Sequence, residues 1–275
     1  MKPLVVKFGG ELLEDGAHLA TAVRALGRIT RNGRPLVVVH GGGREIDAAL
    51  TRAGIEKRQV DGLRITDQPT LDVVVAVLAG SVNTRVVAAL NAAGIAAVGL
   101  TGADGLCGLA AVAAPHRAVD GRIVDLDRVG IPDPSADMRL LQTLTHERFV
   151  PVIACIGITR DGQLLNVNAD TLAGFLAARL GADRLVIAGT TPGVLDAGGA
   201  TLPALGADAI AALVGGGTAT AGMIAKLRAC EQALAGGVDA VVIVDGRDEA
   251  ALEAAAEGVA PARATLITSL HEAQR

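Results

Sequence analysis

Two lysines, one aspartate and four glycine-rich junctions carry most of the chemistry open to this sequence. Lys7 sits inside the apolar run Leu4–Phe8 and is followed at once by Gly9-Gly10. An unpaired buried ammonium is costly, so such a lysine requires a counter-ion or an anionic ligand. Lys226 lies four residues, one helical turn, beyond Gly222 in a stretch that begins Gly215-Gly216-Gly217-Thr218-Ala219-Thr220. Phosphoryl transfer asks little covalent chemistry of a protein and much positive charge around the transferring oxygens. Lys7 and Lys226 can supply that charge from opposite sides. Asp170, closing the string Asn166-Val167-Asn168-Ala169-Asp170, can hold both lysines, although it reads equally well as a helix N-cap. Asn166 and Asn168 suit a ligand or an ordinary strand exit. Arg64, in Asp61-Gly62-Leu63-Arg64-Ile65-Thr66, offers a planar fork suited to a carboxylate. Without context, an arginine in such a turn is more often a surface residue.

The glycine junctions fall where strands end. Lys7-Phe8-Gly9-Gly10 and His40-Gly41-Gly42-Gly43-Arg44 each precede a helix, which frees backbone N–H groups to point at one anion. Standard nucleotide signatures are not met. Gly41-Gly42-Gly43 lacks the third glycine of a dinucleotide fingerprint, and Met223 stands where a phosphate loop needs its lysine. The five histidines, His18, His40, His116, His146 and His271, are scattered, so no metal-ligand cluster is expected.

Elements that position these groups alternate along the chain. Apolar runs at Leu4–Phe8, Leu36–His40, Ile95–Leu100, Val150–Gly157, Arg184–Ala188 and Ala240–Asp245 read as strands covered on both faces. Residues 17–31 and 169–180 read as amphipathic helices, the second ending at Gly181. Residues 105–128 read as an irregular β excursion. The alternation predicts an α/β fold with a mostly parallel central sheet. In such sheets ligands sit at the carboxyl ends of the strands, where the glycine junctions fall. A division near Gly181 gives an N-terminal lobe over 1–181 and a C-terminal lobe over 182–275.

Composition narrows the function. The chain has 275 residues, 51% hydrophobic but only 1% aromatic, so Phe8, Phe149 and Phe175 sit in a core packed from small aliphatic side chains. A net charge of −4 argues against a nucleic-acid partner. Three cysteines, Cys107, Cys155 and Cys230, in apolar surroundings fit a reducing cytoplasm. Residues 86–103 are uncharged, but the glycines and polar residues in that run read better as helix, turn and strand than as a membrane span.

In this order the pieces resemble the amino acid kinase family. They are VVKFGGELL, VVVHGGGREID, DGLRITD, VLAGSVNTRVVAAL, AAVGLTGADG, GQLLNVNAD and TAGMIAK. Each alone is weak, and the seven together cover nearly the whole chain. The resemblance implies a three-layer αβα sandwich with an amino-acid-binding N-terminal lobe and a nucleotide-binding C-terminal lobe that close on binding. Within the family it points to the branch that phosphorylates the side-chain carboxylate of N-acetyl-L-glutamate in arginine biosynthesis, with ATP and nucleotide-borne Mg2+. A kinase for another small acid, such as carrier-bound aminoadipate, or a binding protein that lost catalysis, are the alternatives. By resemblance, Lys7 and Lys226 stabilise the transition state and Asp170 organises them. Gly9, Gly10, Gly42 and Gly43 meet the phosphate or the reacting carboxylate, and Arg64 and Asn166 bind the substrate's other groups. Gly189, Thr190, Thr191, Pro192, Gly193 and Val194, with Thr218, Ala219 and Thr220, fall on segments that contact ATP. Two departures stand out: Gly189 replaces a usual Asp, and Ala221 a commoner Gly or Asp. With only Met1-Lys2-Pro3 before the first strand, the expectation is a homodimer, paired through the apolar helix around Val73–Val87 and indifferent to arginine.

Overall fold

A computed structural model describes residues 1–215 and 221–268. Its central sheet has eight strands: β1 (Leu4–Phe8), β2 (Leu36–His40), β3 (Ala97–Thr101), β4 (Val150–Ala154), β5 (Arg184–Gly189), β6 (Ala204–Leu205), β7 (Ala240–Asp245) and β8 (Ala264–Thr268). They lie in the order β6-β8-β7-β5-β1-β2-β4-β3. Only β7 and β8 run antiparallel. The sheet bears out the fold class read from the alternation of elements. β1 is the hinge of this order, hydrogen-bonded to β2 on one side and to β5 on the other. All five of its residues are buried, Lys7 among them.

Among the described residues, ten α-helices connect and cover the strands: α1 (Gly10–Glu14), α2 (Gly16–Arg31), α3 (Gly43–Arg52), α4 (Gln68–Val75), α5 (Asn83–Ala92), α6 (Arg139–His146), α7 (Ala169–Arg179), α8 (Ala207–Gly215), α9 (Ala221–Ala235) and α10 (Glu249–Glu257). A π-helical segment, Ala76–Val82, joins α4 to α5 into one rod. Helices α2, α5 and α10 neighbour one another in one layer, and α7 packs on α9 in the other. That last contact is tight because residue 174 is glycine: a Cβ there would fall 2.9 Å from Ala229 O. α7 ends at Gly181, whose φ of +64° is the left-handed turn that glycine adopts without strain.

The uncharged stretch 86–103 resolves into the end of α5, a turn and β3, as the sequence suggested. The run Val150–Gly157 does not stay in one sheet. It leaves the central sheet after Ala154, and Ile156–Ile158 pairs with Leu164–Val167 in a second, four-stranded sheet that also holds Val129–Pro132 and Ala110–Val112. A small ribbon, Gln59–Val60 with Leu63–Arg64, stands apart.

Candidate active site

The site forms where β1, β2 and β5 end. Period-two alternation along β1 directs Lys7 out of the sheet plane toward α7, and its side chain is 8% exposed. Its Nζ lies 2.8 Å from Asp170 Oδ1. Lys226, one turn into α9, brings its Nζ within 3.6 Å of the same oxygen. Asp170 is not the N-cap of α7. That place belongs to Asn168, whose Oδ1 accepts from Asp170 N at 2.9 Å and Thr171 N at 3.1 Å. The cap therefore frees the Asp170 carboxylate for the lysines.

Counted by themselves, two ammonium groups and the Asp170 carboxylate carry a surplus positive charge, and the Glu11 carboxylate close by offsets part of it. Burial opposes ionisation of Asp170, but Lys7 and Lys226 outweigh it and hold its carboxyl below the ordinary range. Burial likewise pulls Lys7 down, yet Asp170, with help from Glu11, leaves it above its ordinary value. Lys226 ends below its ordinary value, lowered by burial and by Lys7. Two buried thiols flank the cluster. Burial pushes Cys155 up to about 12 despite nearby Lys7, and raises Cys230 against Lys226.

Glycine junctions bring the loops after β1 and β2 into backbone contact. A Cβ on Gly10 would fall 2.7 Å from Gly42 Cα, and one on Gly42 would fall 2.8 Å from Leu78 Cδ2 in the π segment. Gly9 N donates to Ala188 O at 2.9 Å, so its amide belongs to the sheet. The first turn of α3, begun by Gly42 with no side-chain cap, presents free N–H groups to the same edge. His40, wholly buried before this loop, is fixed by a chain of hydrogen bonds. Its Nδ1 faces Gly41 O at 3.1 Å and its Nε2 faces Asn83 Nδ2 at 3.0 Å, while that amide also donates to Val152 O at 2.9 Å. An Nδ1–H tautomer satisfies every group, and burial lowers the ring to about 4.

Arg64 is not the exposed loop arginine that its turn suggested. Its side chain is 9% exposed, and Nη2 meets Asp47 Oδ1 at 2.5 Å. Its Nη1 is buried and has no hydrogen-bond partner among the described residues. An orphaned guanidinium N–H in that position asks for an acceptor from outside the chain. Asn166 donates from Nδ2 to Thr66 Oγ1 at 3.0 Å, next to the Arg64 ribbon. In the segment expected to contact ATP, Gly189 and Val194 are buried and Thr191 is exposed. Val194 N donates to Thr265 Oγ1 at 2.8 Å, Pro192 O accepts from Thr201, and Thr190 O accepts from Arg247 Nη2 at 2.9 Å. Thr218, Ala219 and Thr220 lie outside the described residues, as does His271.

Three contributors escaped the sequence reading. Asp47 sits one turn into α3, inside a motif already noted, but nothing along the chain marks it as the partner of Arg64. Asn83 begins α5 and is known only through its contact with His40. Glu11 directly follows Gly10, and nothing along the chain singled it out.

An αβα sandwich with a buried, net-cationic lysine pair at the carboxyl edge of its sheet is the arrangement of a phosphoryl-transfer enzyme. The chain belongs to the amino acid kinase family, whose sequence profile matches residues 2–245. It is 41% identical over 252 residues to the acetylglutamate kinase of Parvibaculum lavamentivorans, covering 90% of this chain and 82% of that one. Among solved structures, a Streptococcus mutans protein (smu.665) superposes with a TM-score of 0.80 at 26% identity, covering 96% of this chain and 98% of that one. The N-acetylglutamate synthase of Neisseria gonorrhoeae, solved with coenzyme A and N-acetyl-glutamate, gives a TM-score of 0.81 at 24% identity, a likeness of fold. The alignment takes in 97% of this chain, which spans 59% of that synthase's length.

Proposed function

We propose that this chain is an acetylglutamate kinase. It transfers the γ-phosphoryl group of ATP to the side-chain carboxylate of N-acetyl-L-glutamate, giving ADP and N-acetyl-L-glutamyl 5-phosphate, the second step of arginine biosynthesis. The observation that carries the reading is the buried Lys7–Asp170–Lys226 cluster, with both ammonium groups on one carboxylate oxygen.

The geometry supports the following roles. Both reactants are anions, so approach costs electrostatic repulsion that a net-cationic site relieves. Lys7 and Lys226 flank the transferring group, and Asp170 fixes their spacing. Gly10, Gly42 and Gly43 offer close backbone approach to the reacting carboxylate and phosphoryl group, Gly9 lining the same edge. Arg64, held by Asp47, gives its spare Nη1 to the substrate's other carboxylate, and Asn166 takes the acetamido group. Gly189 through Val194 form one wall of the nucleotide cleft. Mg2+ carried by the ATP phosphates neutralises part of their charge.

The chain works in the cytoplasm as a homodimer in this reading. Its cysteines are all free. The rod Gln68–Ala92 is apolar enough, at a mean hydropathy of 1.9, to cross a bilayer by length alone, and 39% of its most apolar window is buried. A second copy laid on this rod would cover its exposed small residues, Ala76 and Ala88 among them.

A coupled ADP-release assay tests the reading. Turnover should require N-acetyl-L-glutamate and Mg·ATP, with glutamate and aminoadipate poor substitutes. Equal turnover with aminoadipate, or none with any acid, would refute it.

A further inference from the structure

The ribbon that carries Arg64 is held from two sides. On one side Asp47 meets Lys57 Nζ at 2.6 Å as well as Arg64 Nη2, so the cations that bracket the ribbon share one carboxylate on α3. On the other side the tip of the ribbon is fastened to a second ribbon, His116–Arg117 paired with Ile123–Val124. Asp61 supplies the fastening. Its Oδ2 accepts from His116 Nε2 at 2.8 Å and from Val119 N at 3.0 Å. The side chains of this pair are only 22% and 26% exposed, so it is more than a solvated surface contact. Between the ribbons Val60, Ala118 and Leu126 form a small buried cluster apart from the main core, with Leu63 and Ile65 packed against it.

The turn by itself does not account for the aspartate. Asp61 and Gly62 take φ of +47° and +78°, and Asp-Gly is a favoured pair for a two-residue hairpin turn with both φ positive. Glycine at position 61 would serve that backbone at least as well. It would not reach His116 or Val119. The carboxylate thus ties the strand ending in Arg64 to a partner 55 residues further along the chain. A two-stranded ribbon is marginal alone, and the guanidinium it carries is only as fixed as the ribbon. Presetting Arg64 lowers the ordering cost that a bound carboxylate would otherwise meet.

We propose that Asp61 and His116 are positioning residues for the acid substrate: they latch the Arg64 ribbon in place and so set the affinity for the acid, without entering the phosphoryl-transfer step. The proposal rests on the kinase reading above.

Steady-state kinetics in the coupled assay, together with amide hydrogen exchange over residues 59–66, test it on Asp61→Gly, His116→Ala, the two combined, and His116→Gln. Glycine keeps the turn and removes the carboxylate, while glutamine keeps a donor near the place of Nε2. Asp61→Gly and His116→Ala should each raise the Michaelis constant for N-acetyl-L-glutamate about fivefold or more, with turnover and the constant for Mg·ATP held within about twofold. Exchange over 59–66 should quicken in both. The combined variant should be no worse than Asp61→Gly, because the same contact is already broken. His116→Gln should return both the constant and the exchange rate toward the wild type, which a change in overall packing would not do. An unchanged constant in Asp61→Gly, a loss confined to turnover, additive losses in the combined variant, or a glutamine no better than alanine would overturn the proposal and leave the kinase reading standing. A wild type that turns over no acid would bring down both.

Discussion

Replacing Asp170 by Asn tests the charge arrangement most directly, because asparagine keeps the size and removes only the charge. Lys7 Nζ at 2.8 Å and Lys226 Nζ at 3.6 Å then face each other without a counter-ion. At an effective dielectric of about 20, one unit charge at those distances is worth about 6 and about 5 kcal/mol of gross attraction. Desolvation offsets most of this, and breaking a buried pair by removing one partner costs about 3–5 kcal/mol net. One lysine can escape part of the loss by shedding its proton, and Lys226, already below its ordinary value, is the one to do so. We therefore expect Asp170→Asn to lose about 3 kcal/mol of stability in urea unfolding at pH 7. The chain should still fold, since domains carry about 5–15 kcal/mol. Turnover in the coupled assay should fall at least a hundredfold, about 2.7 kcal/mol. The pH profile supplies the decisive sign. In the variant, lowering pH reprotonates the released lysine, so activity should rise as pH falls. The stability gap should run the other way. Asp170 has a lowered value, so its contribution is present above about 3.8 and fades as pH drops through the folded value. A variant equal to the wild type in stability, with an unshifted pH profile, would refute the reasoning.

Four further outcomes follow from the same geometry. Lys7→Ala or Lys226→Ala should each reduce turnover a hundredfold or more while the protein stays folded by circular dichroism. Arg64→Lys keeps the charge but loses the fork, so the Michaelis constant for N-acetyl-L-glutamate should rise more than turnover falls, and an unchanged constant would remove Arg64 from the substrate site. His40 is neutral in the fold, with a value lowered from 6.5 to about 4, so its contribution is complete above 6.5 and is lost between there and about 4. That amounts to about 3 kcal/mol, seen as a pH-dependent urea midpoint that His40→Gln should flatten. Multi-angle light scattering should report twice the chain mass of 27.6 kDa, and a monomer would exclude pairing through the α4–α5 rod.

Strand positions were legible because buried parallel strands leave continuous apolar runs: Leu4–Phe8, Leu36–His40 and Ala240–Asp245 match to the residue. The second sheet was blurred because Val150–Gly157 is equally apolar throughout, while its change of sheet at Cys155 depends on pairing with Leu164–Val167. β8 and the two-residue β6 went unseen, and β6 is fixed only by pairing with Leu266–Ile267, some sixty residues along the chain. Within the site, Lys7 announced itself as a charge in an apolar strand. Asp170 remained ambiguous between cap and counter-ion until Asn168 was seen to take the cap. For Arg64 the surface alternative fell away only in the structure, because burial is a property of the packed chain. Its partner Asp47 comes from α3, and sequence separation hides such pairings.

Cys155 and Cys230 give the charged cluster a built-in reporter of its own integrity. Beside two ammonium groups a thiol would ordinarily ionise readily, yet burial keeps both protonated and out of reach. An alkylating reagent can therefore attack them only in molecules whose α7–α9 packing over β1 has opened. The labelling rate at these two positions, read peptide by peptide by mass spectrometry, counts those openings directly. A bound nucleotide and acid that bridge the same elements should slow the reaction at Cys155 and Cys230 together. The protein thus carries, without any engineered probe, a chemical clock set beside its buried lysine pair.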